Sequence, residues 1–137
     1  MLYFAYGANL SARNMKRHAP HAVAQGVARL ARHRLVFKGF ADVVPDPKSH
    51  VDGVLFEITA ACERSLDRYE DAPKLYRKAT VTVDTAGGPK SAMIYLMNGG
   101  ETAAPTPEYF NIIARGYQDW KFDAGILRRA RYASLRT

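Results

Sequence analysis

The sequence predicts an α+β fold built on a mainly antiparallel, curved sheet with two helices near its end. Lys78 to Asp84 alternates strictly, with Ala79, Val81 and Val83 set against Thr80, Thr82 and Asp84. Ser91 to Met97 continues in the same style after Gly87-Gly88, the pattern of a hairpin. Thr106-Pro107-Glu108 opens a helix whose apolar stripe is Phe110, Ile113, Tyr117 and Trp120. Leu2 to Tyr6 is an aromatic and aliphatic run that breaks at Gly7-Ala8-Asn9, as a buried strand does at a tight turn.

The remaining elements follow along the chain. Ser11 is placed to cap a short helix ending at His18, where Ala19-Pro20 stops it. Val23 to Phe37 mixes apolar and basic residues with partial alternation and reads as one or two strands. Gly39 to His50, holding Pro45 and Pro47, reads as a loop, and Val51 to Ile58 resumes as a strand. Thr59 caps a predicted helix from Ala60 to Tyr69 with Leu66 and Tyr69 facing the core; Asp71-Ala72-Pro73 ends it. Asp123 caps a last helix carrying Ile126, Leu127 and Ala130.

The 137 residues are expected to form one domain over 1–137, with 47% hydrophobic and 24% charged residues, an ordinary globular balance that excludes disorder and collagen-like repeats. A single cysteine, Cys62, excludes an internal disulfide and a multi-thiolate metal site, and it reads as a buried structural thiol. His18 and His21 lack further ligands, so no metal is expected. The N-terminus has no basic stretch, Asn9 interrupts its apolar run, and no segment is long enough to span a bilayer. A soluble protein of a reducing, cytoplasmic compartment is expected, with no membrane partner.

The net charge of +7 is uneven. Residues 1–41 carry seven Lys or Arg and no acid, residues 124–137 carry four Arg and no acid, and all thirteen acids lie between. Such ends suit an anionic partner, yet no nucleic-acid-binding motif accompanies them, so solvated side chains are the simpler reading and nucleic acid is not expected as a partner.

Three segments hold residue types suited to chemistry. A strand ending in Gly7-Ala8-Asn9 permits positive φ at Gly7 and tolerates it at Asn9, so backbone N–H groups can converge on a small anion; an ordinary strand–helix junction looks the same. Glu70 stands at a helix end beside Asp71 and one turn after Asp67. Crowding and burial beside aromatic residues would raise its pKa into the range of a general base or acid; an exposed helix-end acid is the alternative. Tyr76, Tyr95 and Tyr109 either line a pocket or fill the core.

Taken in order, these segments resemble the γ-glutamylcyclotransferase superfamily, including its AIG2-like and γ-glutamylamine cyclotransferase branches. Phe4-Ala5-Tyr6-Gly7-Ala8-Asn9-Leu10 is similar to the family's Tyr-Gly-Ser-Asn-Leu motif. Leu66-Asp67-Arg68-Tyr69-Glu70-Asp71 is similar to its Leu-Asp-x-x-Glu-Gly segment, which bears the catalytic glutamate. Tyr95-Leu96-Met97 and Pro105-Thr106-Pro107-Glu108-Tyr109 are similar to its Tyr-Leu-Met and Pro-Ser-Pro-x-Tyr elements.

The resemblance implies a small barrel-like α+β fold and a cofactor-free reaction, in which the α-amine of a γ-glutamyl substrate attacks its own γ-carbonyl to give 5-oxoproline and a free amine or amino acid. It assigns Glu70 as general acid and base, the Gly7–Leu10 backbone, with Ala8 and Asn9, as holder of the substrate α-carboxylate, and Tyr6, Tyr76, Tyr95 and Tyr109 as pocket walls. Two positions depart from the family pattern: Ala8 replaces a serine, and Asp71 stands where glycine is usual. Two other readings stand beside this one, a non-catalytic binder of small anions or acyl-amino acids on the same fold and a basic nucleic-acid-associated protein.

Overall fold

The computed structural model describes residues 1–136. Its strands are β1 (Leu2–Ala5), β2 (Val23–Lys38), β3 (Phe40–Glu57), β4 (Tyr76–Thr85) and β5 (Gly88–Met97). Its helices are α1 (Ala12–His18), α2 (Ala60–Tyr69), α3 (Pro107–Asp119) and α4 (Ala124–Ser134), with one 3-10 turn at Ala8–Leu10. The strands close into a barrel in the order β1-β3-β2-β4-β5. Every pairing is antiparallel except the closing one, where Tyr3 of β1 meets Met93 of β5 in parallel.

The largest departure from expectation is residues 39–50. Instead of a loop, they are the first half of β3, which turns back at Gly39 (φ 77°) and pairs with β2 from Lys38↔Phe40 to His33↔Pro45. β1 pairs only with residues 54–57 of β3, so this half is an edge with β2 as its one strand neighbour, and Pro47 falls in the 46–49 stretch that has no ladder partner. Register shifts at Ala24/Gly26 and Ala31/His33, where Gly26 and Arg32 take positive φ, bend this long ribbon so that it can close.

The helix signals act where the sequence places them. Ser11, Thr59, Thr106 and Asp123 each accept a first-turn backbone N–H, from Asn14, Cys62, Tyr109 and Gly125 respectively. Phe4, Leu10, Phe37, Val51, Val54, Leu66, Ile94 and Ile113 form the fully buried centre. Two glycines permit close approaches there. A Cβ on Gly53 would collide with the Ala5 carbonyl oxygen, where β1 pairs with β3. A Cβ on Gly116 would lie 2.5 Å from Leu10 Cβ, where α3 rests on the 3-10 turn. Trp120 fixes the same junction by donating its indole N–H to the Leu10 carbonyl at 2.9 Å. No helix among the described residues is long and apolar enough to cross a membrane.

Candidate active site

Glu70 is the residue that ends α2. The N–H of Asp71 bonds the Arg68 carbonyl at 3.2 Å and that of Ala72 bonds the Asp67 carbonyl at 2.9 Å, the paired closure of a Schellman motif. Asp71 takes the left-handed conformation this motif requires (φ 51°). That geometry accounts for the departure noted at this position: glycine suits it best, and aspartate is among the residues that tolerate it. Asp71 itself is exposed.

The chain end of β1 faces Glu70 across a narrow pocket walled by Tyr3, Tyr6, Gly7, Ala8, Asn9, Ala41, Tyr76, Tyr95 and Tyr109. The pocket encloses about 20 Å³, room for one water-sized group. Gly7 does not adopt the positive φ expected of a nest; its φ is −115° and it caps the 3-10 turn. The turn begins with the N–H of Leu10 bonding the Gly7 carbonyl at 3.0 Å and that of Ser11 bonding Ala8 at 3.2 Å. The N–H groups of Ala8 and Asn9 therefore precede the first internal bonds and are the donors this turn leaves over. Leu10 lies outside the pocket lining, fully buried beneath α3.

Side-chain bonds sort the tyrosines. Tyr6 donates to the Tyr95 carbonyl at 2.7 Å, Tyr76 donates to the Ala41 carbonyl at 2.6 Å, and Tyr95 donates to Asp67 Oδ1 at 2.6 Å. Tyr109 instead accepts the Ala41 N–H at 3.0 Å, and Tyr3 accepts from Asn9 Nδ2 at 3.1 Å. Neither of these two hydroxyls donates to a backbone carbonyl, and that of Tyr109 also contacts the Tyr76 hydroxyl. The Asn9 side chain is fully engaged with the protein, since its Oδ1 also accepts from Asn14 Nδ2 at 3.0 Å. Asn14 in turn reaches Tyr69 at 3.3 Å, tying α1 to the last residue of α2.

Burial pushes the Glu70 carboxyl up to about 7. The expected crowding by neighbouring acids is not the cause. Asp67 is turned toward Lys78 Nζ (2.9 Å) and Tyr95, and Asp71 faces solvent. The Glu70 carboxylate has no hydrogen-bond partner among the described residues, so nothing local stabilises its charged form. The phenols of Tyr3, Tyr6, Tyr76, Tyr95 and Tyr109 are all raised, by burial first, with the charge of Glu70 acting in the same direction on each. They stay neutral, as donors rather than phenolates.

Sequence reasoning missed Tyr3, Phe4 and Ala41 as pocket walls and Asn14 as their support, and it named Asp67 only as a crowding neighbour of Glu70 and not as the partner of Tyr95. Tyr3 carried only a weak signal: it sits in the same apolar run as Tyr6, but a spacing of three puts the two on opposite faces of a regular strand, and they converge because Tyr6 lies past the end of β1. Ala41 carried none, because it sat in a stretch read as a loop. Asp42 beside it is buried: it takes Lys38 Nζ at 2.8 Å and the Met97 N–H at 3.1 Å, pinning β3 to β5 next to Ala41.

Known proteins resemble this chain over nearly its whole length. The family described as "Gamma-glutamyl cyclotransferase, AIG2-like" matches residues 3–121. A gamma-glutamylcyclotransferase of Bos taurus is 31% identical over 132 residues, covering 86% of this chain and 70% of the bovine protein. The Homo sapiens protein of that name is 32% identical over the same extent. A solved structure named gamma-glutamyl cyclotransferase superposes with a TM-score of 0.85 at 28% identity, covering 95% of this chain and 85% of that one.

Proposed function

The chain belongs to the gamma-glutamyl cyclotransferase, AIG2-like family and is an enzyme of that kind, and from that premise we propose that it closes a γ-glutamyl amide or γ-glutamyl amino acid into 5-oxoproline, with Glu70 as the proton carrier. The observation that carries this reading is the placement of an unpaired carboxyl, raised to about 7, across a narrow pocket from the free N–H groups of Ala8 and Asn9.

The substrate α-carboxylate is taken by the Ala8 and Asn9 N–H groups, which sets the α-ammonium toward Glu70. Ionised Glu70 accepts one proton from that ammonium. The freed amine attacks the γ-carbonyl carbon, and a ring C–N bond forms as the carbonyl oxygen takes the negative charge. Tyr109, with Ala41 bonded to its lone pair, has its proton available for that oxygen. Collapse breaks the bond to the leaving nitrogen as Glu70 returns the first proton there. The second proton of the ring nitrogen then passes through the same carboxylate to the departing amine, which leaves as an ammonium, so the lactam is neutral and the enzyme ends unchanged. Because the nucleophile belongs to the substrate, holding an attack conformer supplies much of the rate. The reaction needs no cofactor.

The pocket is smaller than a glutamyl group, so side chains part on entry. Glu70 is the wall with no hydrogen bond to break, whereas the five tyrosines are each tethered. The experiment is 5-oxoproline release from a panel of γ-glutamyl amino acids and amines, comparing the wild type with Glu70→Gln. Turnover that falls by about 100- to 10,000-fold in the variant is expected for loss of a general acid–base group. Equal turnover in the variant removes Glu70 from the mechanism, and a folded wild type silent on the whole panel favours the binding-protein reading.

A further inference from the structure

The two basic ends of the sequence meet in three dimensions. Arg34, from the N-terminal basic tract, and Arg129, from the C-terminal one, line the same groove between the β2–β3 ribbon and α4, joined there by Lys48 and His50 of β3. The groove encloses about 490 Å³ and shares no residue with the Glu70 pocket. Its apolar wall is Leu35, Phe37, Ile126, Ala130 and Ala133. No acid lines it. Asp46, just outside, takes Arg34 Nε at 3.5 Å but is shared with the Ser49 hydroxyl and the Lys48 backbone N–H. Asp123 lies near Arg129 at the start of α4 without pairing to it, and among the described residues no ion pair reaches Lys48 or Arg129.

We propose that this groove binds a small anionic amphiphile, a molecule with a carboxylate or phosphate head and a short apolar body. The head is held by the Arg34, Lys48 and Arg129 side chains, with two guanidinium groups suited to the paired oxygens of either head. The body lies along the Ile126, Ala130 and Ala133 face of α4. An inorganic anion would leave that wall exposed, and a neutral apolar ligand would leave the cations without a counter-charge. The concave shape, walled on both sides, takes a single molecule rather than a bilayer surface. This site is independent of the cyclisation chemistry.

The test is titration calorimetry with octyl phosphate and octanoate below their micelle-forming concentrations. Inorganic phosphate, an octyltrimethylammonium salt and phosphatidylglycerol vesicles are the comparison ligands. The proteins are the wild type, Arg129→Glu and Ala133→Trp, each checked by circular dichroism. Saturable one-to-one binding of the anionic amphiphiles is expected, weakened at least tenfold in Arg129→Glu by charge reversal on an exposed helix face. Ala133→Trp, which fills the groove, is expected to do the same, and Arg129→Glu alone decides if the tryptophan variant misfolds. The proposal is overturned by no saturable binding, by affinities unchanged in Arg129→Glu, by inorganic phosphate or the cationic amphiphile binding as tightly, or by retention on vesicles in preference to the monomeric ligand.

Discussion

The hydroxyl of Tyr109 accepts the backbone N–H of Ala41 at 3.0 Å, while Tyr76 donates to the carbonyl of that same residue at 2.6 Å. One peptide position therefore holds two pocket tyrosines in opposite senses. Tyr109→Phe removes the hydroxyl proposed to donate to the substrate oxygen, which lines the pocket and contacts Tyr76, whereas Tyr76→Phe removes a proton committed to the Ala41 carbonyl. Steady-state kinetics is expected to show kcat about 100-fold lower in Tyr109→Phe, the scale of one lost oxyanion donor. Tyr76→Phe is expected to lose about 1 kcal/mol of stability with kcat within about fivefold of wild type. Equal kcat losses in the two variants would count against the assigned donor.

Glu70 ties stability to pH. Its folded pKa of about 7 lies above the ordinary 4.5, so the unfolded chain releases this proton first as pH rises. Across that window the folded state binds more protons and stability falls with pH, then levels off above it. Glu70→Gln lacks this dependence. Urea unfolding at about pH 5 and pH 8 should therefore show the variant gaining on the order of 2 kcal/mol relative to wild type across the interval. The constant offset of exchanging the two groups cancels in that difference.

The same group sets the acid side of the rate profile. With the ionised carboxylate required to accept the first proton, kcat/KM is expected to rise with pH through an apparent pKa near 7. A limb centred near the usual carboxylate range would mean that a different, exposed acid is acting.

Asp71 offers a control on cause. Its left-handed backbone (φ 51°) favours glycine, so Asp71→Gly is expected to raise stability by about 1 kcal/mol, read by denaturant unfolding. Because Asp71 is exposed and the shift of Glu70 arises from burial, the acid limb should stay in place. A limb moved down by a full unit would make the neighbouring charge the cause.

Tyr117 carries a buried hydroxyl with no hydrogen-bond partner among the described residues. Removing an unsatisfied polar group restores no bond and breaks none. Tyr117→Phe is expected to raise stability by about 1 kcal/mol with kcat unchanged, and a loss of stability would reveal a partner, such as an ordered water, for that oxygen.

What the sequence by itself determined is what acts within a turn or two of chain. Ser11, Thr59, Thr106 and Asp123 cap their helices because each cap reaches an N–H two or three positions ahead. The β4–β5 hairpin follows from the strict alternation of residues 78–84 and the Gly87-Gly88 signal, although the turn closes one residue earlier, at Ala86-Gly87, with Gly88 already opening β5. Of the site residues the family resemblance named, all but Leu10 line one pocket, but Tyr3, Phe4 and Ala41, which line it too, were not among them. Only the tertiary structure decided the rest. Residues 40–50 are strand because β2 pairs with 40–45 and again from His50, overriding the local signal of two prolines. The Asn9 side chain is turned to the protein because Tyr3 and Asn14, from other segments, engage it. Glu70 is raised by the walls around it and not by the acids beside it in the chain. Capping and turn chemistry are local in the chain, whereas strand pairing, burial and desolvation depend on which distant segments arrive together, and adjacency in sequence does not encode that.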